Sequence, residues 1–301
     1  MDLLEQKPNV VDRTDVLRKY GDAFSPNKGN WEKIQGDIVF EDVSFMYPDG
    51  KEYVLEHFNL HVPAGMNVAI VGETGAGKST LVNLVGRFFE PTKGRILIDG
   101  VDYQERSQLW LHSQIGYVLQ NPHLFSGTVR ENIRYGRLDA SDEEIEEAAR
   151  NVSADMVVAK MEKGYDSDVG ESGGLLSTGE KQLISFARAV LANPAIFVLD
   201  EATSSIDTQT EKLIQDATNH LLKGHTSFVI AHRLSTIRQA DLILVVKDGK
   251  IIERGSHPEL LEQKGYYYEL YSRQFEEEEA MKVFAGATFA GETDWESVCQ
   301  P

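Results

Sequence analysis

Residues 72–80, Gly-Glu-Thr-Gly-Ala-Gly-Lys-Ser-Thr, decide the fold prediction. They follow the apolar run Asn67–Val71 and precede the helical pattern Leu81–Phe88, which gives the order strand, loop, helix. The pattern G-x-x-x-x-G-K-[ST] is typical of a phosphate-binding loop, because glycines let successive backbone N–H groups turn toward phosphate oxygens. Lys78 adds a mobile positive charge, Ser79 offers a ligand for Mg²⁺, and the positive end of the helix faces the same phosphates. The sequence therefore predicts an α/β protein with a nucleotide phosphate site.

The composition indicates a soluble globular protein. The chain has 301 residues, of which 41% are apolar, and this is enough to bury a core. Its one cysteine, Cys299, excludes an internal disulfide framework. The net charge of −18 argues against partners such as nucleic acid and anionic lipid headgroups, since both would be repelled. No stretch approaches the roughly 20 apolar residues that span a bilayer, so we expect any membrane role to come from a separate part of the protein.

Apolar patterns predict two kinds of sheet. The alternation over Ile38–Tyr47, a Pro-Asp-Gly turn and a second strand near Val54–Val62 predict an antiparallel sheet at the start of the chain. Three later apolar runs alternate with helical patterns, which favours a parallel sheet covered on both faces. These runs are Ala195–Glu201, Thr226–His232 and Leu242–Val246.

The region between these sheets is predicted to be helical. Residues 122–190 contain Ser141 followed by acidic residues, a pattern typical of a capped helix start, and further helices are expected near Ala154–Met161 and Gly179–Leu191. We interpret this region as an inserted helical subdomain. Residues 1–35 are polar and are interpreted as a linker, and residues 276–301 as an acidic, disordered tail.

Polar residues at the ends of predicted strands are the candidates for catalysis. Asp200 and Glu201 could divide two tasks, one holding Mg²⁺ and the other orienting or deprotonating the attacking water, although two acids there could simply cap the next helix. His232 could donate to a γ-phosphate, but a histidine at a strand end is more often structural. Gln120 is unremarkable in isolation. Tyr47 either stacks on an adenine ring or packs in the core.

Residues 176–180, Leu-Ser-Thr-Gly-Glu, shift these interpretations. They resemble the Leu-Ser-Gly-Gly-Gln signature of the nucleotide-binding domains of ATP-binding cassette (ABC) transporters. The resemblance runs from about Ile38 to Phe275 with every motif in order. The motifs are Tyr47 as the aromatic loop, residues 72–80 as the phosphate loop, Gln120 as the Q-loop, Ile196–Asp200 and Glu201 as the metal strand and base, Ser204–Asp207 as the D-loop, and His232 as the switch histidine.

This resemblance implies an α/β fold with a P-loop NTPase (RecA-like) core, an N-terminal antiparallel β-subdomain and the inserted helical subdomain, together forming a nucleotide-binding domain over residues 36–275. It implies a dimer of cassettes that sandwiches two ATP molecules and closes when they bind. The implied ATP contacts are Tyr47, Gly72, Thr74, Gly75, Ala76, Gly77, Lys78, Ser79 and Thr80; the Mg²⁺ contacts are Ser79, Gln120 and Asp200; the catalytic residues are Glu201, His232 and Gln120; and the contacts to the partner's ATP are Ser177, Thr178, Gly179, Glu180 and Asp207.

Two stretches, Val169–Gly173 and Leu124–Ile133, resemble the exporter branch of the family. The resemblance then implies an N-terminal transmembrane domain joined through the linker, and a position at the cytoplasmic face of the cell membrane. The signature departs from the family at Thr178, which replaces a glycine, and at Glu180, which replaces glutamine. A unit charge 8 Å from a phosphate at an effective dielectric near 20 would cost ~2 kcal/mol. This departure favours one half of a heterodimer, with a homodimer as the alternative.

Three rival functions remain at this level. The first is a soluble ABC-type ATPase that does not act in transport, and the exporter-like stretches argue against it. A regulatory cassette that binds ATP without hydrolysing it conflicts with Glu201, which matches the pattern of a catalytic base. A P-loop kinase would leave the signature unexplained. The transported molecule is not encoded in these residues, because fold-level analogy does not choose among drug, lipid and peptide exporters.

Overall fold

The computed structural model describes residues 8, 10–120, 122–201 and 208–276. The D-loop prediction, including Asp207, lies outside the described residues, as does nearly all of the predicted tail. Among the described ranges, no helix is both long and apolar enough to cross a membrane.

The strands form two sheets. In chain order the strands are β1 (Ile38–Phe45), β2 (Leu55–Val62), β3 (Asn67–Val71), β4 (Lys93–Ile98), β5 (Val101–Asp102), β6 (Ile115–Val118), β7 (Ile196–Asp200), β8 (Thr226–Ile230), β9 (Leu242–Lys247) and β10 (Lys250–Gly255). The first sheet has the order β2-β1-β4-β5, and its neighbours are antiparallel, with Ile38 opposite both Val62 and Ile98. This confirms the predicted antiparallel sheet.

The second sheet has the order β10-β9-β3-β8-β7-β6. Strands β9, β3, β8, β7 and β6 are parallel to their neighbours, and β10 pairs with β9 in the antiparallel direction. All five residues of β8 are buried, which is the expected environment of a strand covered on both faces. The predicted parallel sheet is confirmed. Because the carboxyl ends of parallel strands lie at one edge, the ends of β3, β7 and β8 meet there.

The helices cover both faces of this sheet. They are α1 (Thr14–Tyr20), α2 (Lys78–Val85), α3 (Gln108–Ser113), α4 (Val129–Arg134), α5 (Asp142–Asn151), α6 (Asp155–Val158), α7 (Thr178–Ala192), α8 (Thr208–Leu222), α9 (Leu234–Gln239), α10 (His257–Gln263) and α11 (266–276), with single 3-10 turns at Lys28–Asn30, Tyr103–Glu105, Gly164–Asp166 and Glu171–Gly173. Residues 122–190 contain α4 to α6 and most of α7, and Ser141 caps α5 as predicted. The α/β class with an inserted helical part is confirmed.

Alternation along the strands divides the interior into two apolar cores. Val68 and Ile70 of β3 pack with β1, β2, α2 and α3, whereas Ala69 and Val71 pack with the helices of the other face. Strands β7 and β8 alternate in the same way. The parallel sheet is therefore the common wall of both cores, and a loop at its carboxyl edge is held by residues on two sides.

The described residues that precede β1 pack against the core. Arg87, which is fully buried, forms ion pairs with Asp12 at 3.0 Å and with Glu90 at 2.9 Å. Trp110 donates its indole N–H to the Glu32 carbonyl at 2.9 Å. The sequence pattern does not indicate α1, because the apolar residues before β1 are few and widely spaced; those buried are Val10, Val16, Tyr20 and Ile34. Its role as a linker to a membrane domain stays a prediction.

Candidate nucleotide-binding site

The phosphate loop connects β3 to α2 at the carboxyl edge of the parallel sheet. Gly72 has φ +153°, and a Cβ on it would lie 2.2 Å from the Val246 carbonyl oxygen, so only glycine fits there. Gly75 has φ +85°, and a Cβ on it would meet nothing within 4 Å among the described atoms. The first glycine thus allows close packing on β9, and the second faces open space where a phosphate could approach the backbone.

Lys78, the first residue of α2, lies along the inside of this loop. Its ammonium group donates to the carbonyl oxygens of Gly72 at 2.7 Å and Glu73 at 2.9 Å, and the residue is only 8% exposed. Burial lowers the pKa of Lys78, and the charge of Asp200 opposes that shift. The two carbonyls hold the ammonium in place without neutralising its charge, so an anion at the loop would be attracted to it.

One cleft of about 670 Å³ collects most of the predicted site residues. Strand ends, the phosphate loop and the start of α2 bring them together although they are far apart in sequence. Of the predicted ATP contacts, Gly72 and Ala76 are not part of the described lining, and Ala76 packs against the core beneath the loop. The lining residues are Tyr47, Val54, Thr74, Gly75, Gly77, Lys78, Ser79, Thr80, Gln120, Asp200, Ile230 and His232.

Tyr47 packs against the core, which is one of the two alternatives that the sequence left open, and its stacking on an adenine ring stays a prediction. Its ring packs edge-to-face on Phe45 and Phe89, with centroids 4.9 Å and 5.1 Å away. Its hydroxyl lies 2.9 Å from the Thr80 hydroxyl, which ties it to α2. The residue also lines the cleft. Tyr47 is therefore held by the core and α2 while it forms one wall of the candidate nucleotide site.

Asp200 and His232 both line the cleft, and their pKa values are shifted in opposite directions. Burial raises the pKa of Asp200, and the nearby charges of His232 and Lys78 counteract this. Burial lowers the pKa of His232, Lys78 lowers it further, and Asp200 opposes both. The lowered pKa of His232 favours the neutral imidazole, in which one ring nitrogen is a donor and the other an acceptor.

The structure does not bring the Glu201 carboxylate into this cleft. Glu201 is 7% exposed and accepts hydrogen bonds from the backbone N–H groups of His232 at 2.9 Å and Arg233 at 3.1 Å. The Thr236 hydroxyl donates to its other oxygen. Burial raises the pKa of Glu201, and these hydrogen bonds oppose the shift. The carboxylate therefore lies at the start of α9, where it satisfies backbone donors that precede the helix.

The signature residues form the start of α7 and belong to a separate surface. Ser177 caps the helix: its hydroxyl oxygen accepts from the Glu180 backbone N–H at 3.3 Å. The Glu180 carboxylate accepts in return from the backbone N–H and the hydroxyl of Ser177, both at 2.9 Å. Thr178 is exposed and Gly179 is buried. This arrangement is a capping box. Its S-x-x-E pattern is present in the sequence, but the sequence prediction considered only the charge of Glu180 near a phosphate.

Comparison with known proteins identifies the family. The model of the ABC transporter family matches residues 55–204. The chain belongs to the ABC transporter family. The matched residues include the phosphate loop, Gln120, Asp200 and Glu201, and the α/β fold described above is that of an ABC ATPase domain.

Similar proteins are ABC transporter proteins, and one solved structure among them is that of an ABC exporter. The chain is 54% identical over 263 residues to the uncharacterized ABC transporter ATP-binding protein YfiC of Bacillus subtilis strain 168, covering 87% of this chain and 43% of that protein. It is 54% identical over 256 residues to the fatty acid ABC transporter ATP-binding/permease protein of Mycobacterium bovis, covering 85% and 40%. A solved structure, a bacterial Atm1-family ABC exporter with ATP bound, matches with a TM-score of 0.78 and 39% identity over 90% of this chain and 45% of that one. The chain spans less than half the length of each.

Proposed function

We propose that the chain is the motor domain of an ABC exporter. Over residues 36–275 it binds ATP with Mg²⁺, pairs with a second cassette, and couples ATP hydrolysis to export through a membrane domain at the cytoplasmic face of the cell membrane. The single observation that carries this proposal is the cleft in which the phosphate loop, Gln120, Asp200 and His232 meet. The exporter relatives, one of them an ATP-binding/permease protein, support the coupling to transport.

The residues of the cleft fit ATP and Mg²⁺. Gly75 leaves the loop backbone open to a phosphate, and Lys78 supplies a buried positive charge beside it. Ser79, Gln120 and Asp200 place oxygen atoms around the same space, and oxygen is the ligand that Mg²⁺ prefers. When bound, Mg²⁺ would neutralise phosphate charge. In this assignment Tyr47 forms the wall for the adenine ring and His232 donates to the γ-phosphate.

Glu201 acts in this proposal as the general base, and that role requires a movement of its side chain. The described carboxylate is engaged by two backbone N–H groups and the Thr236 hydroxyl at the start of α9. To take a proton from water, it must exchange these contacts for one to the attacking water. We infer that the arrangement described is a resting state, and that loading of the cleft is coupled to release of Glu201.

The signature surface supports a heterodimer. In the proposed sandwich, the start of α7 faces the γ-phosphate in the partner's site. The Glu180 carboxylate already lies at that helix N-terminus, where it accepts from Ser177, so a phosphate would meet a negative charge. Exposed Thr178 adds a side chain at the same surface. This chain is then suited to bind its own ATP and poorly suited to complete its partner's site.

A groove beside Gln120 supports a contact with the membrane domain. It has a volume of about 360 Å³, and three large side chains at its rim are 44–57% exposed: Leu119, Phe125 and Tyr135. Exposed apolar side chains grouped around a groove are typical of an interaction site. The relatives exceed this chain by more than its own length, and one is an ATP-binding/permease protein. We therefore assign the groove to a cytoplasmic segment of the permease part.

The decisive experiment measures Mg²⁺-dependent ATP hydrolysis by the chain alone and mixed with a candidate partner cassette. In the active pairing, Glu201→Gln should lower the rate by about 100-fold or more, since general-base catalysis contributes at least that much. It should retain ATP binding and accumulate a dimer on size-exclusion chromatography with ATP. The exposed control Glu162→Gln should behave like the wild type.

The same measurements contain the outcomes that would overturn the proposal. An unchanged rate for Glu201→Gln would refute its role as the base. ATP binding without hydrolysis in every pairing would indicate a regulatory cassette. A tight ATP-dependent dimer of Glu201→Gln without a partner would favour a homodimer over a heterodimer.

A further inference from the structure

The backbone of His232 is held from both sides. Its N–H donates to Glu201 at 2.9 Å, and its carbonyl oxygen accepts from the side-chain amide of Gln274. Its imidazole lines the nucleotide cleft between these two attachments. Because the peptide groups on either side of a residue set the direction of its Cα–Cβ bond, these two hydrogen bonds hold the position and direction from which the imidazole extends.

Gln274 lies on α11, and this helix is firmly attached to the body of the domain. The Glu253 carboxylate accepts from the Tyr267 backbone N–H at 2.9 Å at the start of α11. Tyr267 is buried, and its hydroxyl lies 2.7 Å from His257 Nδ1. Gln274 therefore reaches His232 from a helix whose position is set by β10 and α10.

The same helix contacts the two loops that meet in the cleft. On α9, which follows His232, Arg238 donates to the Tyr271 hydroxyl at 2.7 Å. Arg273 forms an ion pair with Glu73 of the phosphate loop at 3.6 Å, but both side chains are exposed and the pair is weak. The hydrogen bond from Gln274 is half-buried and ends on the residue that faces the cleft. It is the stronger candidate for a functional contact.

We propose that Gln274 is a positioning residue for His232 in ATP hydrolysis. The inference rests on the proposed function, in which His232 donates to the γ-phosphate and Glu201 moves to the attacking water. When Glu201 leaves the His232 N–H, one of the two attachments of that backbone is lost. Gln274 keeps the other, so the imidazole stays aimed at the cleft while the base acts. Gln274 touches neither nucleotide nor metal in this assignment and acts only through His232.

The test compares substitutions of Gln274 in the pairing in which the chain hydrolyses ATP. Gln274→Met keeps the length and neutrality of the side chain but removes the donor. We expect kcat to fall about 5-fold to 10-fold, the value of one hydrogen bond, with KM for ATP unchanged. Gln274→Lys retains a donor of similar reach and should restore most of kcat. Glu269→Gln, on the exposed side of the same helix, should leave both constants unchanged.

A second background separates the inference from the function on which it rests. In His232→Ala, Gln274→Met should have no further effect on kcat, because the residue that it positions is gone. If His232→Ala itself leaves kcat unchanged, the proposed role of His232 is wrong. If His232→Ala lowers kcat but Gln274→Met does not, or if the two effects multiply, the role of Gln274 is wrong. Failure of Gln274→Lys to restore kcat would likewise contradict donation as the cause.

Discussion

The phosphate loop and the signature surface each present a helix N-terminus, and the two are built in opposite ways. Helix α2 begins after Gly77, which has no side chain to cap it, and its first residue is the buried cation Lys78. Helix α7 begins after Ser177, whose hydroxyl accepts from the Glu180 N–H, and the Glu180 carboxylate accepts in return from the Ser177 N–H. One N-terminus therefore carries a cation and no capping side chain, whereas the other carries a capping side chain and a carboxylate.

In the proposed sandwich dimer, this difference separates the two half-sites that one cassette contributes. The loop half presents the buried positive charge of Lys78 to phosphate. The signature half presents the negative charge of Glu180 to the same ligand. A dimer of identical chains would combine one strong and one weak half in both of its sites. A heterodimer can instead concentrate the strong halves in a single site, and the following predictions test that contrast.

The largest effect is expected from removing the cation of the loop. Lys78→Ala should weaken ATP binding by about 100-fold, because a charge-assisted hydrogen bond to phosphate is lost. Titration of the chain with a fluorescent ATP analogue measures this directly. Lys160→Ala, an exposed lysine of the helical part, is the matched control and should bind like the wild type. Retained binding in Lys78→Ala would remove the basis for the loop as the strong half.

A smaller effect, and one on the other subunit, is expected from the signature. Glu180→Gln removes the charge but keeps the capping box, since glutamine also serves at that position. ATP bound in the partner's site should tighten by about 30-fold, the equivalent of ~2 kcal/mol, while ATP in this chain's own loop is unaffected. Binding can be assigned to one site by combining Glu180→Gln with a loop-lysine substitution in either subunit. Glu147→Gln is the exposed control. An effect confined to this chain's own ATP would contradict the sandwich.

The capping box itself should contribute to stability. Ser177→Ala removes the acceptor of the Glu180 N–H and should lower the free energy of unfolding by about 1 kcal/mol. For a domain of this size the expected fall in Tm is about 2–4 °C. Ser177→Thr keeps the hydroxyl and should stay close to the wild type. Equal Tm values for Ser177→Ala and the wild type would show that α7 begins without this cap in solution.

The sequence was sufficient where the structure is determined locally. The loop between β3 and α2 and the alternation of β7 and β8 between two cores both follow from patterns of a few residues. Contacts between distant segments were not predictable. The Glu201 carboxylate bonds a backbone 31 positions away, and the buried pair of Arg87 with Asp12 joins the core to a lead that looked like a polar linker. Composition indicated neither, because both depend on how elements pack.

The capping role of Glu180 was not predicted, although its contact with Ser177 is local in sequence. A carboxylate three residues after a serine is a helix-capping pattern, and the structure places it in that role. In the estimate from the sequence, Glu180 was an isolated charge about 8 Å from the phosphate. The cap holds the carboxylate at the helix N-terminus by two hydrogen bonds, so the charge remains where a phosphate would come. The physical reason for a weak half-site therefore becomes stronger.

The smallest effect concerns the charge inside the cleft, which can be measured through His232. Burial and the positive charge of Lys78 lower the pKa of His232, and Asp200 opposes them. Its imidazole should therefore titrate below the usual value of about 6.5, and its contribution to stability should be lost as the pH falls from 6.5 through the lowered pKa. Titration of the His232 Cε1–H resonance by NMR, assigned with His232→Ala, gives this value.

In Lys78→Ala the pKa of His232 should rise, because a like charge is removed while Asp200 remains. Lys160→Ala should leave it unchanged. If Lys78→Ala did not raise the pKa of His232, the charge of Lys78 would already be neutralised without nucleotide. The contrast between a cation at the start of α2 and a carboxylate at the start of α7 would then lose its electrostatic basis.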